Sequence, residues 1–318
     1  MIAFQKKVAE SVFTLPVCIA VAVAFWWLPE RDFSLSHILG LVLCLLTTCI
    51  IMETNARQHI IRIRTRLMSC VWLVLATALP FMHSLGTPIV AAFLLSVSYL
   101  LLFHCYQHPQ PQRIVFHVFL MLGMGCFCTP IMPLMAIPFF VYLIVFLRTM
   151  NWKTFWAGVL GLATPYWCYA IWLFLTNDMQ DITTILHLSP LTPVGEPVEP
   201  HPSPLTPVGE PVEPHLSPLI AAFAFPILVG IIHFFRTKYN DKIRVRMILY
   251  IYVCQTSLLM VFLLLQPTHY STTLSLLAVS TSPLIAHYFA LTNSLASNIF
   301  FILTLLLTAT TIALNLTP

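Results

Sequence analysis

The chain has 318 residues, of which 59% are hydrophobic and only 8% charged. So few charges cannot coat a water-soluble globule of this length, so the soluble classes are excluded and an integral membrane protein is expected. The net charge of +4 and pI near 8.6 call for no nucleic-acid partner, because the cations follow membrane topology.

Eleven apolar stretches run along the chain, at about 11–28, 34–53, 67–84, 88–106, 114–128, 131–147, 154–176, 219–235, 247–265, 271–291 and 295–315. A helix needs roughly 20 apolar residues to cross the hydrocarbon core, and most of these runs approach that length. They are continuously apolar, without the period-two alternation of a barrel strand, so they predict helices. The fifth and sixth are short and flank Thr129-Pro130, where a tight hairpin or two half-spanning helices would fit. The expected fold is an all-α polytopic transmembrane bundle of about eleven spans (ten to twelve), one integral membrane domain over 1–318.

With the N-terminus in the cytoplasm, the cytoplasmic segments hold Lys6 and Lys7; Arg57, Arg62, Arg64 and Arg66; Arg113; Arg148 and Lys153; and Arg236, Lys238, Lys242, Arg244 and Arg246. Only Arg31 is left outside. Short cytoplasmic loops retain Lys and Arg during insertion, so this bias predicts N-terminus in and C-terminus out in the cell membrane, with bilayer lipid as the first partner.

Lys6 and Lys7 precede the first apolar stretch as in a signal peptide. That stretch ends in Phe25-Trp26-Trp27-Leu28-Pro29 rather than a small-residue cleavage site, which predicts an uncleaved first span with its Trp pair at the outer interface. The first external loop then carries Glu30, Arg31 and Asp32. In an extended turn, residues two apart point to the same side, so Glu30 and Asp32 would converge on one metal ion or one substrate hydroxyl. A carboxylate there would serve as a general base or hold Mg²⁺ or Mn²⁺, and Arg31 would reach a lipid phosphate. Three charges in a short loop also serve simply to keep it in water. His37, His83, Asp178, Asp181, His269 and Tyr270 are assigned to the same outer face.

Apart from Glu53 at the end of the second, no span contains Asp, Glu, Lys or Arg. Coupled transporters and voltage sensors keep such groups inside the bilayer because their chemistry requires them there, so the composition argues against those classes. His104, His117, His233 and His287 remain as intramembrane polar groups, expected to hydrogen-bond to neighbouring helices or to lie near an interface. All nine cysteines fall in or at the ends of apolar spans, a pattern unlike a disulfide scaffold, and Cys126 and Cys128 lack nearby His or acidic partners at ligand spacing. Gly123-Met-Gly125 and Gly158-Val-Leu-Gly161 are small-residue patches that would let helices approach closely.

The longest hydrophilic segment, 177–218, is predicted to be external. It holds a tandem repeat in which 189–202 recurs as 203–216 with one change at the last position. Ten prolines between Pro190 and Pro218 rule out helix and leave an extended, polyproline-like linker. It would be either a ligand for a proline-recognising partner or an insertion that an external loop tolerates.

From about Gly86 to Trp167 the chain resembles the GT-C superfamily of polytopic membrane glycosyltransferases. The resemblance rests on the span Pro88 to His104, the loop from Gln107 to Arg113 and Leu122-Gly-Met-Gly-Cys-Phe-Cys-Thr-Pro130. It continues through Met132-Pro133 to Pro138-Phe139, the basic turn Arg148-Thr-Met-Asn-Trp-Lys153 and Thr164-Pro-Tyr-Trp167. The first external loop here is about six residues long, Leu85-Gly86-Thr87 stands where an acid is common in the family, and Cys128-Thr129 stands where a Lys is common. The resemblance implies a sugar donor on a polyprenyl-phosphate carrier. It also implies that Glu30 and Asp32 act as catalytic base or metal ligands, and that Arg31 engages the carrier phosphate. The alternative is a membrane scaffold or lipid-handling component of an envelope assembly system.

Overall fold

The computed structural model describes residues 4–27, 34–63, 65–106, 108–176 and 216–316, and the regular elements among them are all helical. The helices are α1 (Phe4–Glu10), α2 (Thr14–Trp27), α3 (Leu35–Gln58), α4 (Leu67–Thr77), α5 (Thr87–His104) and α6 (Pro111–Gly125). They continue as α7 (Ile131–Val145), α8 (Trp152–Thr176), α9 (Leu216–Thr237), α10 (Ile243–Leu265), α11 (Tyr270–Leu291) and α12 (Leu295–Leu316). Each predicted apolar stretch holds one helix, α2 to α12. Six of the described helices are long and apolar enough to cross a membrane (α3, α5, α8, α10, α11 with the turn before it, and α12), or seven when α1 and α2 are taken as one broken span.

Three boundaries differ from expectation. The first stretch is preceded by a separate short helix: α1 meets α2 at 93°, and the bend is held locally, with the Thr14 hydroxyl donating to the Val8 carbonyl at 2.6 Å. The third stretch stops early. Pro80 forces extended backbone on Leu79 (φ −110°, ψ 97°), so α4 ends at Thr77 and a 3₁₀ turn over Pro80–Met82 follows. The Pro-rich segment gives way to helix at Leu216, with Pro218 in the first turn of α9 where no backbone N–H is needed. Between α6 and α7 the chain makes a tight hairpin, closed by Thr129 N–H to Gly125 carbonyl (3.2 Å) and Met132 N–H to Thr129 carbonyl (3.3 Å).

Nearly every residue of α11 is buried, and it packs against α4, α5, α9 and α10. Its serines and threonines are satisfied inside the bundle. Thr281 donates to the Leu277 carbonyl (2.8 Å), Ser282 to that of Val279 (3.0 Å), and Ser280 Oγ meets Tyr99 Oη at 3.1 Å. Returning a hydroxyl to the preceding turn lets a polar side chain sit in an apolar interior without an orphaned donor. Gln255 ties α10 to α7 through the Met135 carbonyl at 3.0 Å. The two glycine patches meet each other: an added Cβ on Gly123 would stand 2.8 Å from the Leu162 carbonyl oxygen, and one on Gly161 would strike the Phe116 carbonyl. The α6 and α8 backbones are therefore in direct contact, a closeness only glycine permits. The outer surface is the reverse of a soluble protein's, with Trp167, Phe174 and Leu175 of α8, Leu264 of α10 and Leu306 of α12 all exposed.

Candidate functional site

Contacts sort into two ends of the bundle. At one, α2 and α3 approach the connection between α4 and α5, and α6–α7 approaches the start of α11. Trp26 is buried; its indole N–H donates to the His37 carbonyl at 3.3 Å, and its ring lies over His83 with centroids 4.4 Å apart. The Leu85 N–H bonds both the carbonyl and the hydroxyl of Ser36 at 3.0 Å. A Cβ on Gly40 would come within 2.9 Å of the His83 carbonyl oxygen, so α3 lies directly on this turn. Phe81 meets Tyr270 edge-on at 6.0 Å. The structure thus gathers His37, His83 and Tyr270, three of the residues assigned to the outer face. The His269 carbonyl, at the same end, caps α11 by accepting from Thr272 (3.2 Å) and Thr273 (2.7 Å). Glu30, Arg31 and Asp32, and likewise Asp178 and Asp181, lie outside the described residues.

His83 lies 3.2 Å through Nε2 from the Thr77 carbonyl, which makes Nε2 the protonated nitrogen of a neutral ring. With Nε2 committed to a carbonyl and the face of the ring to Trp26, His83 positions the turn rather than offering a free base.

The opposite end carries the cations and a feature that sequence reasoning missed. Asp241, in the link between α9 and α10, is 5% exposed. One carboxylate oxygen accepts from both Nε (2.9 Å) and Nη2 (2.6 Å) of Arg62, in the α3–α4 connection. The other lies 3.2 Å from His287 Nε2 of α11, off the line of a straight hydrogen bond. Burial works to raise the Asp241 carboxyl, but His287 and Arg62 together outweigh it and hold the group below its ordinary 3.8. Asn55 shapes the segment that presents Arg62, donating to the Thr65 carbonyl (3.1 Å) and accepting from the Ile61 N–H (3.4 Å). His59 supplies the left-handed residue that ends α3 (φ 50°). The visible signal for Asp241 was its isolation: it is the sole acid after Glu213, set among five cations from Arg236 to Arg246.

Around that centre, Arg57 pairs with Glu53 and reaches His104 Nε2 at 2.9 Å. Arg244 bonds Gln58 and stacks over Tyr106 at 4.8 Å. His117 caps its own helix through the Arg113 carbonyl at 2.7 Å, and the His233 ring packs on His287 (5.9 Å) and Tyr288 (5.1 Å). Cys126 Sγ donates to the Leu122 carbonyl at 3.3 Å. Among the described residues, no group of three or more His, Cys, Asp or Glu side chains is placed to hold a metal ion; the proposed ligand pair Glu30 and Asp32 is not among those residues. Compared with protein-family models, curated proteins and solved structures, the chain matches none.

One outcome follows from the geometry of the cationic end. Arg62→Ala strands a buried carboxylate, whereas Asp241→Asn leaves a guanidinium already half in water. Denaturation should find Arg62→Ala the more damaging, by about 2 kcal/mol, below the range for wholly buried pairs because Arg62 is screened.

Proposed function

We propose that the chain is an eleven-span protein of the cell membrane, N-terminus in the cytoplasm, with a GT-C-like transfer site at its outer end. The shorter helices α4, α6 and α7 would complete crossings together with their flanking turns. The orientation is supported by the placement of cations. The described Lys and Arg residues lie at the end of Asp241, and the end of Trp26, His37 and His83 has none among the described residues.

The observation that carries the site is that both anchors of the 28–33 loop are packed on one turn. Trp26 before the loop lies on His83, and Ser36 after it bonds Leu85. A loop so anchored would hold its charges at the rim of the bundle beside Tyr270. Glu30 or Asp32 would take the proton of an acceptor hydroxyl as its oxygen bonds to the sugar's anomeric carbon. The bond from that carbon to the carrier phosphate breaks, and Arg31 would stabilise the phosphate that leaves with the polyprenyl chain.

A scaffold or lipid-handling role is favoured by a different observation: His83 and its neighbours are spent on packing and backbone contacts. The two readings part in one experiment. Native mass spectrometry of the protein offered polyprenyl-phosphate sugars should find the glycolipid retained, with free carrier appearing as product. Glu30→Ala/Asp32→Ala should lose the product. Failure of wild type to bind or convert any such carrier would leave the scaffold as the reading.

A further inference from the structure

A cavity of about 480 Å³ lies at the other end of the molecule, between α2, α4, α9, α11 and α12, with α1 across its mouth. That volume falls in the range of small-molecule sites. Its lining is apolar, with Val17, Val71, Pro226, Phe289, Phe301 and Leu305 among the contributors. Phe13 and Val17, on its wall, are more than half exposed, so the cavity is open rather than sealed within the bundle.

Its polar groups are few, and most are committed. Thr14 donates to the Val8 carbonyl, and Ser11 Oγ accepts from the Phe13 N–H at 3.2 Å, both within the α1–α2 bend. Thr304 donates to the Phe301 carbonyl at 2.8 Å and Thr308 to the Thr304 carbonyl at 3.0 Å. Lys7 is the charged residue of the lining. Its neighbour Lys6 is paired with Glu10 at 3.8 Å, whereas no carboxylate among the described residues reaches Lys7.

The mouth is a built feature. Gln5, in the first turn of α1, is 1% exposed, and its amide is locked into the turn between α11 and α12. It donates to the carbonyls of Phe289 (2.5 Å) and Thr292 (3.0 Å) and accepts from Ser297 Oγ at 2.8 Å. The Gln5 N–H bonds Asn298 Oδ1 at 3.0 Å. An α-helix held across the mouth by a buried amide fixes where Lys7 stands relative to the apolar space behind it.

We infer that this cavity binds one phospholipid with an anionic headgroup, its tail among α2, α4 and α12 and its phosphate against Lys7. Charge complementarity selects the headgroup, because the whole end is cationic. The open, apolar lining selects a tail over a soluble ligand. The site depends on the chain crossing a membrane, but not on any transfer reaction at the opposite end.

The test is native mass spectrometry of the full chain, offered phosphatidylglycerol and phosphatidylcholine of matched tails in equal amounts, with glycerol 3-phosphate as the free headgroup in a separate sample. One phosphatidylglycerol per chain should survive detergent removal, preferred about fivefold, the weight of one Lys contact with an anionic lipid surface. Lys7→Gln alters an exposed side chain and should erase the preference while leaving lipid bound. Val71→Phe should reduce retention of both lipids; where that variant does not elute as a folded species, Lys7→Gln alone decides. The inference is overturned if wild type and Lys7→Gln treat the two lipids alike. It is equally overturned if glycerol 3-phosphate binds as well as the lipid, or if the cavity is occupied by a second copy of the chain without lipid.

Discussion

Hydrocarbon does not solvate charge, and most of this structure follows from that constraint. Ionised groups must sit at the ends of the bundle or be neutralised where they are buried. Asp241 is the instructive case, since it is a carboxylate withdrawn from water, paired with Arg62 of one segment and set against His287 of another. The contact joins the α3–α4 connection, the α9–α10 link and α11 at one point. Three elements distant in sequence are thereby held in register by a group that cannot relax into solvent without breaking the pair.

The interior obeys the same rule by other means. Hydroxyls of α11 such as Thr281 and Ser282 are returned to their own helix, and larger polar groups such as Gln255 and Gln5 are spent on backbone carbonyls of neighbouring helices. Close packing then falls to Gly123 and Gly161, which bring α6 and α8 to backbone contact. The two ends differ in consequence. One is cationic and opens to an apolar cavity; the other is built from aromatic and histidine packing, Trp26 on His83 and Phe81 on Tyr270.

Much of the helical plan was legible because apolar run length is a direct record of burial, and a helix stands at each of the eleven stretches. The end of α4 was legible in principle from Leu79-Pro80. The break between α1 and α2 was legible too, since Pro16 in the first turn of α2 cannot continue a helix arriving from α1; the Thr14 hydroxyl that reaches Val8 across the bend required the fold. Grouping His37, His83 and Tyr270 followed from counting spans. Their packing on Trp26 and Phe81 required the fold. The Asp241 centre was opaque because Arg62 lies 179 residues away, and no local pattern records a contact of that range. His287 was read as one more buried imidazole for the same reason.

Orientation is the claim on which the outer site rests, and trypsin reads it directly, because it cuts after Lys and Arg. Added to sealed, intact cells, it should leave the chain whole apart from Arg31, sparing the long 177–215 segment that contains neither residue. Once the membrane is opened, it should cut at the Arg236 to Arg246 cluster. Cleavage at that cluster in sealed cells would place the cationic end outside and contradict the account.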